Sequence, residues 1–263
     1  MMKKALFFDI DGTLVSFKTH EIPGSTIEAI RKAHERGNKI FISTGRPYVI
    51  INNLKDLQEK NLIDGYITMN GAYCFIGDDI LYKSAIPQDE VRRLAEICRK
   101  KGYACIFVTE DEIKVVQPTE EVRKIFNEFL HVQEIPHTDF EDVVDKTIYQ
   151  MTVFITEDIE KEVAKQMPGS EFNRWYPTFV DITAKGNTKA HGIEIMMNSI
   201  GFPQDASIAF GDGGNDIPML EKAAIGVAMG NANDDVKAHA QLVTDTVDND
   251  GIAKALEELN LAD

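Results

Sequence analysis

The apolar run 5–8 is followed at once by Asp9, Asp11 and Gly12, the residues that most restrict the possible folds of this chain. A run that is apolar on both faces predicts a buried strand of a parallel sheet. Open α/β sheets bind ligands at the carboxyl edge, where such strands end, and glycine allows the sharp turn needed there. The segment therefore predicts a parallel sheet with an acidic ligand site. The alternative is an acidic turn, since Asp-Gly is common in turns.

Composition limits the classes of partner. A chain of 263 residues can form one large domain or two smaller ones, and its contents of 43% hydrophobic and 27% charged residues are typical of globular proteins. The formal net charge of −15 argues against nucleic acid or an anionic membrane as a partner. An anionic substrate would require a cation or local basic residues at its site.

Neither targeting nor disulfide bonding is indicated. The start of the chain resembles a signal peptide, but Asp9 and Asp11 interrupt the apolar stretch before an h-region is complete. No run approaches the roughly 20 apolar residues of a membrane-spanning helix. The cysteines, Cys74, Cys98 and Cys105, are odd in number and form no metal-ligand pair, which predicts buried thiols. We expect a cytoplasmic monomer with no membrane partner.

Strand and helix patterns alternate over the first third of the chain. A capping-box pattern at 25–28 predicts the start of a helix after the first strand. Residues 39–43 and 65–69 predict two further buried strands, and Pro47 is expected to open the helix between them. Strand–helix–strand units of this kind predict right-handed parallel crossovers.

The pattern then changes and later returns. Hairpins are predicted over 72–85 and 103–116, and helices over 91–98, 122–130 and 157–165. An apolar segment at 148–155 and strands at 171–174 and 179–183 complete this region. Alternation resumes with a helix at 187–200, a strand at 207–210, a helix from Ile217 and a strand at 225–228. We therefore predict an α/β fold with a Rossmann-like, doubly wound parallel sheet. Residues 1–85 and 184–263 would form this core, interrupted by an α+β domain at 86–183.

A second acidic segment, 211–216, follows an apolar strand and precedes a predicted helix. Carboxylates at a strand end suit a hard cation, which prefers oxygen ligands. The alternative is a flexible turn in which Asn215 or Asp216 caps the helix. Because Asp9 and Asp11 lie at the end of another strand, the cation site is favoured.

Two further segments are suited to an anion. The second strand ends in Thr44, Gly45 and Arg46, where a hydroxyl and backbone N–H groups at a helix N-terminus can hold phosphate. Lys189 lies in the first turn of a predicted helix, where a cation opposes the helix dipole and so suggests an anionic partner. The alternatives are a capping hydroxyl with a solvated arginine, and a solvated lysine.

Taken in order, these four segments resemble the motifs of the haloacid dehalogenase-like phosphatases. The resemblance covers the whole chain, through 9–13, 44–46, Lys189 and 211–216. The long insert and residues 69–72 are similar to the Cof-type branch, which carries a C2-type cap. Within that branch, the sugar-phosphate (hexose-phosphate) phosphatases are the most similar.

The resemblance implies a role for each motif. Asp9 would be the nucleophile and Asp11 the general acid and base, while Thr44 and Lys189 would hold the transferring phosphoryl group. The implied Mg²⁺ site comprises Asp9, the Asp11 carbonyl and Asp212, with Asn215 and Asp216 in support. Substrate contacts are expected from Gly45, Arg46, Asn70, Gly71 and Asn215.

The end of the insert is a weaker candidate for substrate recognition. Arg174 and Asp181 are expected to meet the sugar from the cap, although solvent exposure of Arg174 and core packing of Trp175 are alternatives. Asn70-Gly71 by itself is a common hairpin turn.

These residues suit phosphate-ester hydrolysis. A carboxylate that attacks a phosphate dianion meets charge repulsion, which Mg²⁺ and Lys189 would neutralise. A sugar alkoxide leaves poorly unless an acid such as Asp11 protonates it. We predict a Mg²⁺-dependent phosphatase that acts on small phosphorylated metabolites through an aspartyl-phosphate. The alternatives are a phosphomutase and a non-catalytic phospho-acceptor or metabolite sensor.

Overall fold

The computed structural model describes residues 3–262, which separate into two compact units. The core unit comprises 3–44, 52–82 and 188–262, and the inserted unit comprises 45–51 and 83–187. This division differs from the expected one by a few residues at each boundary, and it also places 45–51 with the inserted unit.

The predicted strands lie close to their expected positions, and one further strand, at 242–243, was not predicted. They are β1 (Ala5–Phe8), β2 (Lys39–Ser43), β3 (Gly65–Thr68), β4 (Tyr73–Ile76), β5 (Asp79–Lys83), β6 (Cys105–Val108), β7 (Ile113–Val116), β8 (Gln150–Val153), β9 (Ser170–Tyr176), β10 (Phe179–Ala184), β11 (Ser207–Gly211), β12 (Ile225–Ala228) and β13 (Leu242–Val243).

The helices differ from the predicted ones in both directions, and those at 140–143, 234–238 and 251–258 were not predicted. They are α1 (Gly24–Glu35), α2 (Lys55–Glu59), α3 (Gln88–Lys101), α4 (Glu120–Val122), α5 (Phe140–Val143), α6 (Glu157–Ala164), α7 (Lys189–Ile200), α8 (Ile217–Lys222), α9 (Asp234–Ala238) and α10 (Gly251–Glu258). A π-helical segment, Arg123–Phe129, continues α4.

The core unit contains the expected parallel sheet. Its strand order within the described residues is β13-β12-β11-β1-β2-β3-β4-β5. The strands from β13 to β3 pair in parallel, and β4 runs antiparallel to β3. Because β2 and β11 lie on opposite sides of β1, the direction of winding reverses at β1. That reversal places a ligand crevice at the carboxyl end of β1. The predicted fold class is confirmed.

Alternating side chains of β1 cover the two faces of this sheet. Phe7 stacks on Phe41 with ring centroids 5.1 Å apart and packs in the cluster that includes Ile193 of α7. Phe8 stacks on Phe210 at 4.6 Å. With apolar residues on both faces, the strand is held rigidly up to the acid that follows it.

Two predictions about local helix structure are wrong. Helix α1 begins at Gly24 after Pro23, and the expected capping box is absent from it, since Ser25 donates its hydroxyl to Asp250 Oδ1 at 2.5 Å. The helix expected from Pro47 is replaced by a 3₁₀ turn, Tyr48–Ile50, followed by the separate helix α2. A tertiary hydrogen bond therefore replaced the local one that the capping pattern predicted.

The inserted unit is an antiparallel sheet packed on helices. Its strand order within the described residues is β7-β6-β8-β10-β9. One face carries Phe107, Met151 and Ile182, which pack with apolar residues of α3 and α5. Because side chains alternate along each strand, the opposite face carries polar residues such as Thr152 and Asp181.

Candidate active site

The first acid of the sequence meets a buried lysine. Asp9 follows β1 directly, and its N–H donates to the Phe210 carbonyl at 3.0 Å, so the sheet ladder continues to this residue. Lys189 Nζ lies 2.6 Å from Asp9 Oδ1 and 2.6 Å from Asp216 Oδ1. The side chains of Lys189 and Asp216 are 0% and 1% exposed. The ends of β1 and β11 and the start of α7 thus converge.

The lysine occupies a helix N-terminus that would by itself disfavour a cation. Thr188 caps α7 by accepting a hydrogen bond from the His191 N–H at 3.2 Å. The two carboxylates raise the pKa of Lys189 above its usual value against the opposing effect of burial. Lys189 therefore stays charged inside the protein.

Asp216 organises the loop that contains Asp212. Its Oδ2 accepts hydrogen bonds from the N–H groups of Asp212 and Gly213, both at 2.9 Å. Its Oδ1 meanwhile receives Lys189 Nζ. Asp216 directly precedes α8, but its side chain makes no capping hydrogen bond to that helix. Its carboxylate therefore serves the loop and the acidic cluster, and the capping role considered as an alternative is wrong.

One residue of the first motif and one residue outside all four motifs hold Asp212. Thr13 donates its hydroxyl to Asp212 Oδ1 at 3.1 Å, and Asn231 Nδ2 donates to Asp212 Oδ2 at 3.1 Å. Asn231 Nδ2 also donates to the Gly12 carbonyl at 2.8 Å. Sequence reasoning missed Asn231, although a polar residue just after the parallel strand β12 was a usable signal.

Gly12 is required by both conformation and space. Its φ of +85° lies in the left-handed region, and a Cβ there would stand 2.2 Å from Asp212 Oδ2. The glycine thus lets the loop after β1 approach Asp212, whose carboxylate lies at the end of a neighbouring strand. Asp11, in the same loop, is half-buried.

The carboxylates form a site suited to a metal ion. One oxygen from each of Asp9, Asp212 and Asp216 lies within 4.8 Å of the others. Burial raises the pKa of Asp212 to about 7, and the nearby Asp216 carboxylate contributes to that rise. Burial and the Asp216 charge also raise the pKa of Asp9 well above its usual value, despite Lys189. A bound cation would relieve this excess of negative charge, and its preferred ligands are carboxylate oxygens.

Thr44 and two asparagines lie on adjoining elements of the core unit. Thr44 is buried at the end of β2, and its carbonyl accepts the Asn70 N–H at 3.0 Å. Asn215 Nδ2 donates to Asn70 Oδ1 at 3.0 Å. The residues expected at the phosphate site from β2, β3 and β11 are therefore connected by hydrogen bonds.

Gly45 and Arg46 belong to the inserted unit. The Arg46 guanidinium donates to the carbonyls of Ile50 and Leu130, both at 3.4 Å, and the residue is 6% exposed. The alternative of a solvated arginine is therefore wrong. The expected substrate contacts of Gly45 and Arg46 stay predictions.

Arg174 is used within the inserted unit. Its guanidinium bonds Glu160 Oε2 at 2.5 Å and donates to the carbonyls of Ile155, Tyr176 and Pro177 at 2.9–3.1 Å. These bonds join the guanidinium to segments of its own unit, and the side chain is 18% exposed. The alternative of a solvated Arg174 is therefore wrong, and its expected contact with the sugar stays a prediction.

Asp181 lies on the polar face of the inserted sheet. Its Oδ1 accepts the Thr152 hydroxyl at 2.6 Å, and its Oδ2 accepts the Trp175 indole N–H at 3.1 Å. With Gln150 and Phe179 these residues line a cavity of about 20 Å³ in that unit. A buried carboxylate beside an aromatic ring can recognise hydroxyl groups.

Other expectations concern the chain as a whole. The cysteines among residues 3–262 are free and buried, as predicted. Across the same residues, no helix is long and apolar enough to cross a membrane. The cytoplasmic location and the monomeric state stay predictions.

Comparison with known proteins gives matches along nearly the whole chain. The sequence profile of the haloacid dehalogenase-like hydrolases matches residues 6–256. A solved haloacid dehalogenase (HAD) subclass IIB sugar phosphatase is 59% identical, with a TM-score of 0.96, over 98% of this chain and 100% of that one.

Two more distant relatives are also phosphatases. A HAD-superfamily phosphatase structure from Bacteroides thetaiotaomicron is 37% identical, with a TM-score of 0.86, over 99% of this chain and 96% of that one. The pyridoxal phosphate phosphatase of Escherichia coli (strain K12) is 30% identical over 269 residues, which cover 97% of each protein.

Proposed function

We propose a substrate class and a metal for this chain, which belongs to the haloacid dehalogenase-like hydrolases. As a member of the Cof-type branch it is a phosphoric monoester hydrolase. The proposed reaction is Mg²⁺-dependent hydrolysis of small phosphorylated metabolites, chiefly hexose phosphates, through an aspartyl-phosphate on Asp9. The observation that carries this proposal is the position of Lys189 in a buried acidic cluster. Its Nζ lies 2.6 Å from Asp9 Oδ1 and 2.6 Å from Asp216 Oδ1.

The residues that would hold Mg²⁺ are Asp9 and Asp212, with the Asp11 carbonyl as a further oxygen ligand and with Asn215 and Asp216 in support. Their fit rests on the excess of buried carboxylates over the cation of Lys189. When bound, Mg²⁺ supplies positive charge that stabilises the phosphoryl oxygens. The choice of Mg²⁺ over other hard cations is part of the proposal.

In the first step, a carboxylate oxygen of Asp9 forms a bond to phosphorus while the bond from phosphorus to the sugar oxygen breaks. Asp11 donates its proton to that leaving oxygen. Lys189 reduces the repulsion between the attacking carboxylate and the phosphate, and it is preorganised because two buried carboxylates hold it. The Thr44 hydroxyl would donate to a phosphoryl oxygen.

In the second step, Asp11 removes a proton from a water molecule, whose oxygen forms the new bond to phosphorus. The bond between phosphorus and the Asp9 oxygen then breaks, and inorganic phosphate leaves. Because Asp11 has gained one proton and had lost one, the enzyme returns to its starting state.

We further propose that the inserted unit selects among phosphate esters. The proposed core residues recognise the phosphoryl group, which all candidate substrates share. Within the inserted unit, Asp181 and Trp175 provide a carboxylate and an aromatic ring of the kind that recognises sugar hydroxyls. The 59% identity to a sugar phosphatase supports a sugar phosphate as substrate.

A panel of phosphorylated metabolites, assayed for phosphate release with Mg²⁺ and with excess chelator, tests the proposal. We expect several hexose phosphates to rank above nucleotides and amino-acid phosphates, with activity in Mg²⁺ and none in chelator. Full activity in chelator would overturn the metal assignment. A ranking led by a non-sugar phosphate would overturn the substrate class.

A further inference from the structure

Asn70 carries a buried polar group without a hydrogen-bond partner. The residue is 0% exposed, and its Oδ1 accepts a hydrogen bond from Asn215 Nδ2 at 3.0 Å. Its own Nδ2 has no acceptor. A buried donor loses its hydration without compensation, so an unpaired one in a folded protein calls for an explanation.

The orientation of this amide is determined by its neighbours. The Asn70 N–H donates to the Thr44 carbonyl at 3.0 Å, which joins the backbone of the residue to the end of β2. Exchanging the positions of Oδ1 and Nδ2 would place two NH₂ groups against each other and break the bond from Asn215. The unpaired donor therefore has a defined direction.

The turn that carries Asn70 has an unusual backbone. Met69, Asn70 and Gly71 have consecutive positive φ angles of 51°, 51° and 92°. A Cβ on Gly71 would stand 2.2 Å from the carbonyl oxygen of Thr188, the residue that precedes Lys189. Left-handed conformations at non-glycine residues cost free energy and are found preferentially at functional sites. The turn is thus packed closely against Thr188, next to Lys189 of the proposed phosphate site.

We propose that Asn70 Nδ2 donates a hydrogen bond to a non-bridging oxygen of the bound phosphoryl group. This inference rests on the proposed function and assigns one atom within it. Asn70 is linked to Thr44 by its backbone and to Asn215 by its side chain, so its donor lies among residues proposed to hold the phosphate. An anionic phosphoryl oxygen is a strong acceptor, and its arrival pairs the orphaned N–H group.

Two substitutions separate this role from an indirect one through Asn215. Asn70→Asp keeps an oxygen that accepts the bond from Asn215, but it presents oxygen in place of the N–H₂ donor. Asn70→Gly removes the whole side chain. Both residue types tolerate a left-handed backbone, so neither adds strain.

The measurement is competitive inhibition by inorganic phosphate of p-nitrophenyl phosphate hydrolysis at saturating Mg²⁺. We expect the inhibition constant to rise at least tenfold in Asn70→Gly and further in Asn70→Asp, where a carboxylate faces the anion. An inhibition constant in Asn70→Asp within twofold of the parent value would show that Asn70 serves only as an acceptor for Asn215. If the Asp variant does not fold, the same result in Asn70→Gly overturns the proposal.

Asn38→Asp is the matched control. Asn38 is 5% exposed, and its amide bonds the Lys4 N–H at 2.9 Å and the Ala33 carbonyl at 2.8 Å, before the start of β2. The substitution disturbs a buried amide at the start of β2, whereas Thr44, the partner of Asn70, follows the end of that strand. The inhibition constant for phosphate should therefore stay within twofold of the parent value. A tenfold rise in this control would assign the effect in Asn70 variants to general destabilisation and overturn the proposal.

Phosphate release tests the proposed function, and ligand binding by the Asn70 variants tests the role of Asn70. A parent protein that releases no phosphate from any ester would refute the proposed function. The role of Asn70 would then be tested by the rise in melting temperature that orthovanadate and Mg²⁺ produce. We expect this rise in the parent and its loss in Asn70→Asp, and an equal rise in both proteins would overturn the inference.

Discussion

At the scale of single residues, charge balance governs the candidate site. Lys189 neutralises part of a cluster in which Asp9, Asp212 and Asp216 are close together. Removing one partner of a buried ion pair leaves an uncompensated charge. The roles of the individual acids can therefore be separated only by substitutions that preserve shape.

Asp9→Asn should reduce phosphate release by at least about 10³-fold, because the amide is a poor nucleophile and a weaker ligand for a cation. The change is isosteric and leaves Asp216 paired with Lys189, so the melting temperature should change little. Steady-state assays with a hexose phosphate and with p-nitrophenyl phosphate measure the effect. Asp56→Asn, at an exposed position of α2, is the control. Turnover of Asp9→Asn within tenfold of the parent would show that Asp9 is not the nucleophile.

Asp11→Asn should slow the phosphorylation step with hexose phosphates more than with p-nitrophenyl phosphate. The nitrophenolate leaves without much protonation, whereas a sugar alkoxide needs an acid. We expect a loss of about 10²–10⁴-fold for the sugar and a clearly smaller loss for the nitrophenyl ester. Single-turnover experiments isolate this step from breakdown of the aspartyl-phosphate. Equal losses for both esters would mean that Asp11 is not the leaving-group acid.

At the scale of elements, short connections after parallel strands determine where the functional groups lie. The loop after β1 approaches Asp212 closely because Gly12 has no Cβ. The turn after β3 approaches Thr188, just before α7, because Gly71 also has none. Both positions have a left-handed backbone as well as a close neighbour. The precision of the site therefore depends on contacts between loops.

A pair of glycine substitutions measures the contact at α7. Gly71→Ala places a Cβ against the Thr188 carbonyl, whereas Gly77→Ala, also at positive φ, meets no atom within 4 Å. Both variants should lose about 1 kcal/mol of unfolding free energy from backbone strain. Gly71→Ala should lose about 2 kcal/mol more from the steric overlap, together with activity. Equal losses of unfolding free energy in the two variants, measured by urea denaturation, would show that Gly71 is not in close contact with the start of α7.

At the scale of the whole molecule, stability and ligand binding are linked by the buried acids. Burial raises the pKa of Asp212 from 3.8 to about 7 in the metal-free protein. Between those pH values the folded state holds a proton that the unfolded state has released. The contribution of Asp212 to stability therefore decreases as the pH rises from about 4 to about 7.

Mg²⁺ should reverse the loss of stability that Asp212 causes as the pH rises, because cation binding displaces the proton of that carboxyl group and favours the folded state. We expect Mg²⁺ to raise the melting temperature by about 5 °C at pH 7.5 and by about 1 °C or less at pH 5. Melting curves in Mg²⁺ and in chelator at the two pH values provide the comparison. A shift of the same size at both would show that proton release from these acids is not linked to metal binding.

Substrate selection is the other property of the whole molecule. Asp181→Asn should change the ranking among hexose phosphates by about tenfold or more, while hydrolysis of p-nitrophenyl phosphate changes less. The control is Asp145→Asn, an exposed acid of the same unit that pairs with Arg92. A ranking that is unchanged in Asp181→Asn would remove this residue from the proposal.

Much of the architecture was predictable because it depends on local patterns. Apolar runs such as 39–43 and 65–69 indicated buried strands, and acids or hydroxyls after them indicated the site edge. Chain connectivity then requires parallel crossovers. The order of Asp9, Thr44, Lys189 and the 211–216 segment was sufficient to indicate the family, as the profile match confirms.

Tertiary structure decided what local patterns cannot express. Ser25 bonds Asp250 in place of capping its own helix, Arg174 bonds carbonyls of its own unit, and Asn231 supports Asp212 from the loop after β12. In each case, a polar side chain takes whichever partner the folded chain brings within about 3 Å. The sequence determined which residues could carry the chemistry. Packing of the folded chain decided which partners they have, because residues 19 to 225 positions apart come into contact only after folding.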